Sequence, residues 1–363
     1  MPRAGRTVKV TPVSEPRIAA EALHEFTQKC LAAYGVPEAD ARITADLLVQ
    51  TDLLGIDSHG VAHLDMYIDG LRQGRINPRP QVRVVRGAAA STTLDGDNGL
   101  GFVGAAEAMK LAIARAGEVG AGFVSMRNSN HFGAAGVYAR MALAEDMIGL
   151  AATVGGILVL PPGGAQRTVP ANPVAVAIPT AKEPPFLMDI STCVVAFGKI
   201  ELALRYERPI PLGWAVDRNL QPTTDPEAVA DGGLLLPLGG SRETGGHKGY
   251  GLALVLSTLC GVLSGAGWGF PRPGSGQRDT GHFFGAFRID SFRDPEEFKA
   301  DMDAMLRQMK ESPKAPGVER IYTPGEPEWE IEADRKANGI PLHPKVVANL
   351  RKVGKEAGVE FPL

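Results

Sequence analysis

The chain has 363 residues, 44% of them hydrophobic and 22% charged, with a formal net charge of −3. That length suffices for two domains, or for one large domain with an insertion, and the weak charge gives no reason to expect nucleic acid or a membrane as partner, which leaves a small molecule. Cys30, Cys193 and Cys260 lie far apart with no CxxC pair, and no apolar run follows the basic N-terminus as a secretory signal would need, so a reducing, cytoplasmic location is expected.

Apolar Ile18, Leu23, Phe26, Cys30 and Leu31 recur at helical spacing and predict a helix from Arg17 to about Tyr34. A second is predicted from about Pro37 to Leu54 and a third from about Val61 to Arg72, closed by "GRINPRP". The N-terminal part therefore reads as a small helical unit. Beyond the Pro-rich turn, "VRVVRG" and "STTLDGD" read as strands. They are followed by helix "GAAEAMKLAIARAGEVG", strand "GFVSMR", helix "AAGVYARMALAEDM", strand "IGLAATV" and apolar "PVAVAIPT", an alternation that argues for a mixed α/β unit around a sheet. Residues 207–245 read as long loops with short strands, and "DPEEFKADMDAMLRQMKES" as a late amphipathic helix. The uncharged stretch 249–270 is long enough to cross a bilayer, but six glycines punctuate it, so a helix buried inside a globular domain is expected instead.

Four stretches carry chemistry. "DLLGIDSHGVAHL" places Asp57, Ser58 and His59 side by side at a break between two helices, with His63 four residues on. The two histidines could hold a metal, but no H-E-x-x-H glutamate and no clustered third ligand is evident, and no G-x-S-x-G elbow surrounds Ser58. "RNSNHFGAAGVYA" puts Asn128 to His131 at a strand end before a helix start, suited either to an anion such as a pyrophosphate or to a plain helix cap. Asp189 in "MDISTCVVAFGKI" is either a cap or an acid beside a catalytic base. His247 and Lys248 in "ETGGHKGYG" suit a phosphate, or lie solvated at a turn. "GLGFVG" matches G-x-G-x-x-G at Gly99, Gly101 and Gly104, but the preceding strand is short and polar and no ribose-binding acid follows, so its glycines are read as packing devices.

Together, "LGIDSHGVAHLDMYIDGL", "NSNHFGAAGVYARMA", "PANPVAVAIP", "MDISTCVVAFGKI" and "GGHKGYGLAL" occur in the order typical of the malate/L-lactate dehydrogenase family, and the resemblance runs from about residue 17 to "PGEPEWEIEADRKANGIPL". These are NAD(P)-dependent reductases of 2-oxo acids and cyclic imino acids, unrelated to the Rossmann-type lactate and malate dehydrogenases. The resemblance implies an α+β fold: a mixed-sheet, non-Rossmann NAD(P)-binding domain over residues 83–294, beside a helical domain of residues 1–82 joined by 295–363. It implies a homodimer using NAD or NADP and needing no metal. Ser58, His59, Asp189 and His131 would be catalytic, with His59 the proton donor, and His63 and Asn172 would meet the substrate. His131, Phe132, Gly133, Asp189, Ile190, Ser191, His247, Lys248, Pro324, Gly325 and Glu326 would line the cofactor. One position departs: the family often has arginine where His63 stands, and histidine cannot make arginine's two-bond grip on a carboxylate.

The expected activity is hydride transfer between NAD(P) and a small 2-hydroxy acid/2-oxo acid pair. Histidine titrates near neutral pH and suits the accompanying proton transfer. Reduction of a cyclic imino acid such as piperideine-2-carboxylate is the rival within the class. A metal-dependent hydrolase using His59 and His63, or a non-catalytic binding protein, are rivals outside it.

Overall fold

A computed structural model describes residues 15–271 and 279–363; the first 14 residues, on which most of the N-terminal signal reading falls, lie outside them. Helices α1 (Ala20–Ala33) and α2 (Glu38–Leu53) form as the spacing predicts. The third begins as a tight 3₁₀ turn at Val61–His63 and continues as α3 (Leu64–Arg72). Strand β1 (Arg17–Ile18) pairs antiparallel with β14 (Ile340–Pro341), so the two ends of the described chain meet.

The main sheet has seven strands: β2 (Arg83–Gly87), β3 (Ser91–Asp95), β4 (Ala121–Ser129), β5 (Met147–Thr153), β8 (Pro173–Ile178), β9 (Phe186–Ser191) and β13 (Thr280–Arg288). Their spatial order is β2-β3-β4-β13-β5-β8-β9. Only β3 and β4 run parallel, joined by the crossover helix α4 (Gly101–Val119); the other neighbours are antiparallel. A five-stranded sheet, ordered β11-β10-β12-β6-β7, uses β6 (Ile157–Val159), β7 (Val169–Pro170), β10 (Ala215–Val216), β11 (Pro222–Thr223) and β12 (Leu234–Leu235). The expected α+β class with a mixed, open sheet is therefore found. The central strand β13 is one that the pattern of the sequence left unassigned.

The remaining helices are α5 (Gly136–Ala139), α6 (Phe197–Arg205), α7 (Pro226–Ala230), α8 (Gly246–Leu256), α9 (Pro295–Lys310), α10 (Glu326–Asn338) and α11 (Pro344–Ala357). The helix predicted from "AAGVYARMALAEDM" is only one α turn, α5, followed by a 3₁₀ segment at Arg140–Glu145. The late helix is α9, capped by Asp294, which accepts from the Glu296 and Glu297 N–H groups at 2.9 and 3.0 Å. Helices α10 and α11 pack against the N-terminal helices. One hydrophobic core is continuous from Leu23 and Leu48 through Phe102 and Tyr138 to Val347, so the helices and the main sheet share their burial.

The G-x-G-x-x-G stretch proves to be a packing device. A Cβ on Gly101 would lie 2.3 Å from the Asn130 carbonyl oxygen, and one on Gly104 would press on Met126 at 3.0 Å, so α4 approaches the sheet only with glycine there. The apolar stretch 249–270 requires a correction. It forms α8 and a π turn at Ser257–Val262, in which Gly249, Ala253, Leu256, Ser257, Cys260 and Gly261 face inward, while Leu252, Leu254, Val255, Val262 and Leu263 are half exposed. Uniform apolarity along a helix does not reveal that one face is left bare by the described residues. Among the described residues no helix is long and apolar enough to cross a membrane.

Gly122 on β4 offers a test of this packing, since a Cβ there would sit 2.0 Å from the Ala112 carbonyl oxygen of α4. Gly122→Ala is expected to cost about 3 kcal/mol or more, measured as a fall in the denaturant midpoint of unfolding, because backbone on both sides must move.

Candidate active site

The site is built on the loop between α2 and α3. Asp52, buried in the last turn of α2, accepts a hydrogen bond from the Val61 N–H at 2.9 Å, closing the loop that carries Ser58 and His59. Gly60 is packed against that carboxyl; a Cβ there would lie 2.0 Å from Asp52 Oδ1. From α10, Arg335 donates to the Asp52 carbonyl at 2.5 Å and to both carboxylate oxygens of Asp57. Asp57 is thus spoken for by an arginine and does not serve the neighbouring imidazole. Burial, more than any neighbour, pushes the Asp52 carboxyl up to about 8, with Asp57 adding to the rise and the Val61 N–H and Arg335 opposing it.

His59 projects from this loop with Nδ1 2.9 Å from Ser58 Oγ. Its ring lies 5.8 Å from His131, nearly parallel, and 6.0 Å from His63, edge-on; His63 and His131 are 6.1 Å apart. Three imidazoles therefore converge where the helical layer meets the main sheet. Burial first, and then His63, pushes His59 down to about 4. Burial and then His59, His63 and His282 push His131 down to about 3. Both rings are neutral at neutral pH. On the other side, a Cβ on Gly198 of α6 would be 2.5 Å from Ser58 Cβ and 3.7 Å from His59 Cε1, so the "VVAFGKI" turn walls the pair.

His131 is fixed by its own loop. Its Nδ1 is 2.6 Å from Tyr67 Oη and receives the Gly133 N–H at 3.4 Å. Neither Ser129 nor Asn130 caps a helix: Ser129 Oγ bonds His282 at 2.9 Å, and Asn130 donates to the Gly99 carbonyl at 2.8 Å. Asp189 lies on the edge strand β9 and accepts from the Gly136 N–H at 2.7 Å, where the polypeptide enters α5. Burial raises it to about 6 against the pull of that N–H, with Glu328 adding to the rise. Ile190 beside it is exposed, and Ser191 Oγ lies 3.1 Å from Cys193 Sγ.

Several expected contacts are used otherwise. Asn172 is fully buried, accepts from the Gly155 N–H and gives both amide protons away, to the Ala253 carbonyl and Ser257 Oγ at 2.8 Å each, so it is a strut and not a substrate donor. The Phe132 ring is stacked in the core between His282 at 4.7 Å and Tyr138 at 4.8 Å, and its carbonyl accepts from Tyr138 Oη, so neither ring nor carbonyl faces a cofactor. Gly133, with φ +78°, is pressed against Phe102. The Pro324 carbonyl accepts from the Leu187 N–H at 3.1 Å, and Gly325 at φ +94° approaches the same strand. Glu326 is engaged by Arg320, Lys310 and the Thr323 N–H, so this turn fastens α10 to β9 and does not present a carboxylate to a ligand. His247 and Lys248 stand exposed in the first turn of α8, behind a loop whose Gly239 and Gly245 have positive φ. Tyr67, Asp52, Gly198 and Arg335 were missed. Only Tyr67 left a signal, its position four residues after His63 on the next helix.

The profile of the malate/L-lactate dehydrogenase family matches residues 18–351. The chain belongs to that family. Malate/L-lactate dehydrogenases are oxidoreductases acting on CH–OH groups, so this chain is an oxidoreductase and the hydrolase and binding-protein alternatives fall away. It is 44% identical over 347 residues to a malate dehydrogenase of Pyrococcus horikoshii, covering 95% of this chain and 96% of that one. An L-sulfolactate dehydrogenase of Methanocaldococcus jannaschii is 39% identical, over 91% of this chain and 94% of its own. Among solved structures, the Pyrococcus horikoshii malate dehydrogenase superposes with a TM-score of 0.89, at 41% identity, over 96% of this chain and 98% of that one. A delta1-piperideine-2-carboxylate reductase from Pseudomonas syringae does so with a TM-score of 0.81, at 26% identity, over 93% and 99%.

The loop geometry separates two substitutions of Asp52. With its carboxyl held protonated at neutral pH, Asp52→Asn keeps shape and acceptor and is expected to change stability by less than about 1 kcal/mol. Asp52→Ala orphans the buried Val61 N–H and is expected to cost about 2 kcal/mol or more in urea unfolding.

Proposed function

We propose that this protein interconverts a small 2-hydroxy acid and its 2-oxo acid with a nicotinamide dinucleotide, His59 exchanging the proton with the substrate oxygen. The observation that carries this is the convergence of His59, His63 and His131, with Ser58 on His59 Nδ1, at the junction of the two layers. In this reading, residues 1–82 with 295–363 supply the acid/base loop, and 83–294 form the cofactor-binding unit.

The residues present fit a dinucleotide in part. Exposed Ile190 on the edge strand offers an apolar floor, and Lys248, at a helix start reached through tight glycine contacts, offers a cation and backbone N–H groups to a phosphate. When bound, the nicotinamide supplies or accepts the hydride. The protein does the rest. In oxidation, neutral His59 takes the hydroxyl proton while Ser58 orients its ring. In reduction, His59 must carry a proton, which burial and His63 oppose in the free protein; an anionic substrate beside the ring favours the charged form, and the proton is drawn from solvent. His63 faces both other imidazoles and is the group we assign to the substrate carboxylate. Reduction of a cyclic imino acid is the second reading, supported by the structural likeness to the piperideine-2-carboxylate reductase and by the absence of an arginine at His63.

The bare apolar face of α8 and the π turn supports a homodimer, since such a face on an isolated chain would be costly in water. Three buried free thiols suit a reducing compartment, and we assign the cytoplasm.

Oxidation of NADH and NADPH against a panel of 2-oxo acids and cyclic imino acids tests the reading and names the cofactor. His59→Ala should lose about 10²-fold or more in kcat while still binding cofactor; unaltered turnover would refute the assignment. The pH dependence has a definite sign. Because His59 in the free protein is neutral above about 4, kcat/KM for oxidation should be level from pH 6 to 8, whereas kcat/KM for reduction should fall as pH rises. His63→Arg should lower KM for a 2-oxo acid, through the two-bond grip of a guanidinium on a carboxylate, with kcat changed much less.

A further inference from the structure

The two imidazoles of the stacked pair differ in what faces their Nδ1 atoms. At His59 it is a hydroxyl, Ser58 Oγ at 2.9 Å, which can donate or accept and so allows either tautomer. At His131 it is the Gly133 backbone N–H at 3.4 Å, which can only donate. Nδ1 of His131 is therefore an acceptor and carries no proton, so the hydrogen between it and Tyr67 Oη, 2.6 Å away, belongs to the phenol. The neutral ring then bears its proton on Nε2. We propose that Tyr67 is a positioning residue which, with the Gly133 N–H, locks His131 as the Nε2–H tautomer, making it a fixed hydrogen-bond donor to the substrate and leaving proton exchange to His59.

Burial supports the lock from both ends: the Tyr67 phenol is pushed far up and stays protonated, and His131 stays neutral. The Tyr67 ring is held independently of its hydroxyl, edge-on to Phe102 at 5.1 Å and stacked on His131 at 6.0 Å. Tyr67→Phe therefore removes the phenol hydrogen without emptying the core. Gly133 is at φ +78°, so the N–H that enforces the acceptor is placed by a conformation that favours glycine. A donor aimed at a substrate carbonyl steadies the negative charge that gathers on oxygen as hydride arrives, and a ring that could lose its proton would not do so as reliably. The catalytic consequence rests on the dehydrogenase reading; the tautomer does not.

The test is long-range ¹H–¹⁵N correlation on histidine-labelled full-length protein at pH 7.5, with His131 assigned by its loss in His131→Gln. The expected spectrum has a pyridine-like Nδ1 and a pyrrole-like Nε2 at His131, and in Tyr67→Phe the two shifts move toward one another. A pyrrole-like Nδ1, or a pattern unchanged in Tyr67→Phe, overturns the lock. Steady-state kinetics should show Tyr67→Phe lowering kcat for reduction about tenfold with KM for the cofactor unmoved. Unchanged kcat overturns the catalytic consequence. A locked tautomer in a protein that turns over no member of the panel would keep the lock and refute the dehydrogenase reading.

Discussion

The hydrogen bond from the Val61 N–H to the buried Asp52 carboxyl holds the loop that carries Ser58 and His59, on which the rest of the site is built. It joins the last turn of one helix to the start of the next and leaves the eight residues between Asp52 and Val61 little freedom except to bow outward with His59 at the crest. Gly60 fits against the same carboxyl because it has no side chain, and Arg335, from the far end of the sequence, secures the loop from behind. Acid, glycine and arginine shape the loop without touching the imidazole itself. That is why a loop of ordinary composition can present an imidazole as reproducibly as a strand would.

Around that crest, burial sets the chemistry. Two stacked imidazoles with a third at their edges disfavour one another's protonation, and the apolar surroundings disfavour it further. No fixed cation is built against them among the interactions that shift these rings. In the proposed reaction, charge would arrive with the substrate. A site with this composition stores little electrostatic strain in the resting protein and would become asymmetric on binding, one ring taking the proton while the other, held by Tyr67, keeps the one it has.

Much of this was legible in the sequence. The helical spacing of Leu23, Phe26 and Leu31, and the Asp294 cap of α9, are local signals, and local signals gave the helices. The Ser58–His59 pair and His131 could be singled out because polar residues at a break between helices and at a strand end have few structural uses. What stayed hidden depends on contacts across the chain. Asn172 and Glu326 have residue types that suit a ligand, and only the carbonyls and cations brought to them by α8 and by the 310–323 region show that their hydrogen bonds are already made. Asp57 stands beside Ser58 and His59 in the sequence, but α10 brings Arg335 to it, a contact that nothing local shows. Strand β13 escaped for a similar reason: "TGHFFGAFR" shows no alternation, since both of its neighbours in the sheet and both faces are protein.

The place of β13 has a consequence for how the protein is made. It is the seventh of the seven strands to be synthesised yet sits fourth in the sheet, between β4, which ends 151 residues before it begins, and β5. Until it emerges from the ribosome, β4 and β5 each carry an unpaired edge, and the N-terminal helices also wait for α10 and α11. The nascent protein thus carries open hydrogen-bonding groups through the stretch of synthesis that separates β4 from β13, the circumstance in which slow folding and dependence on chaperones arise.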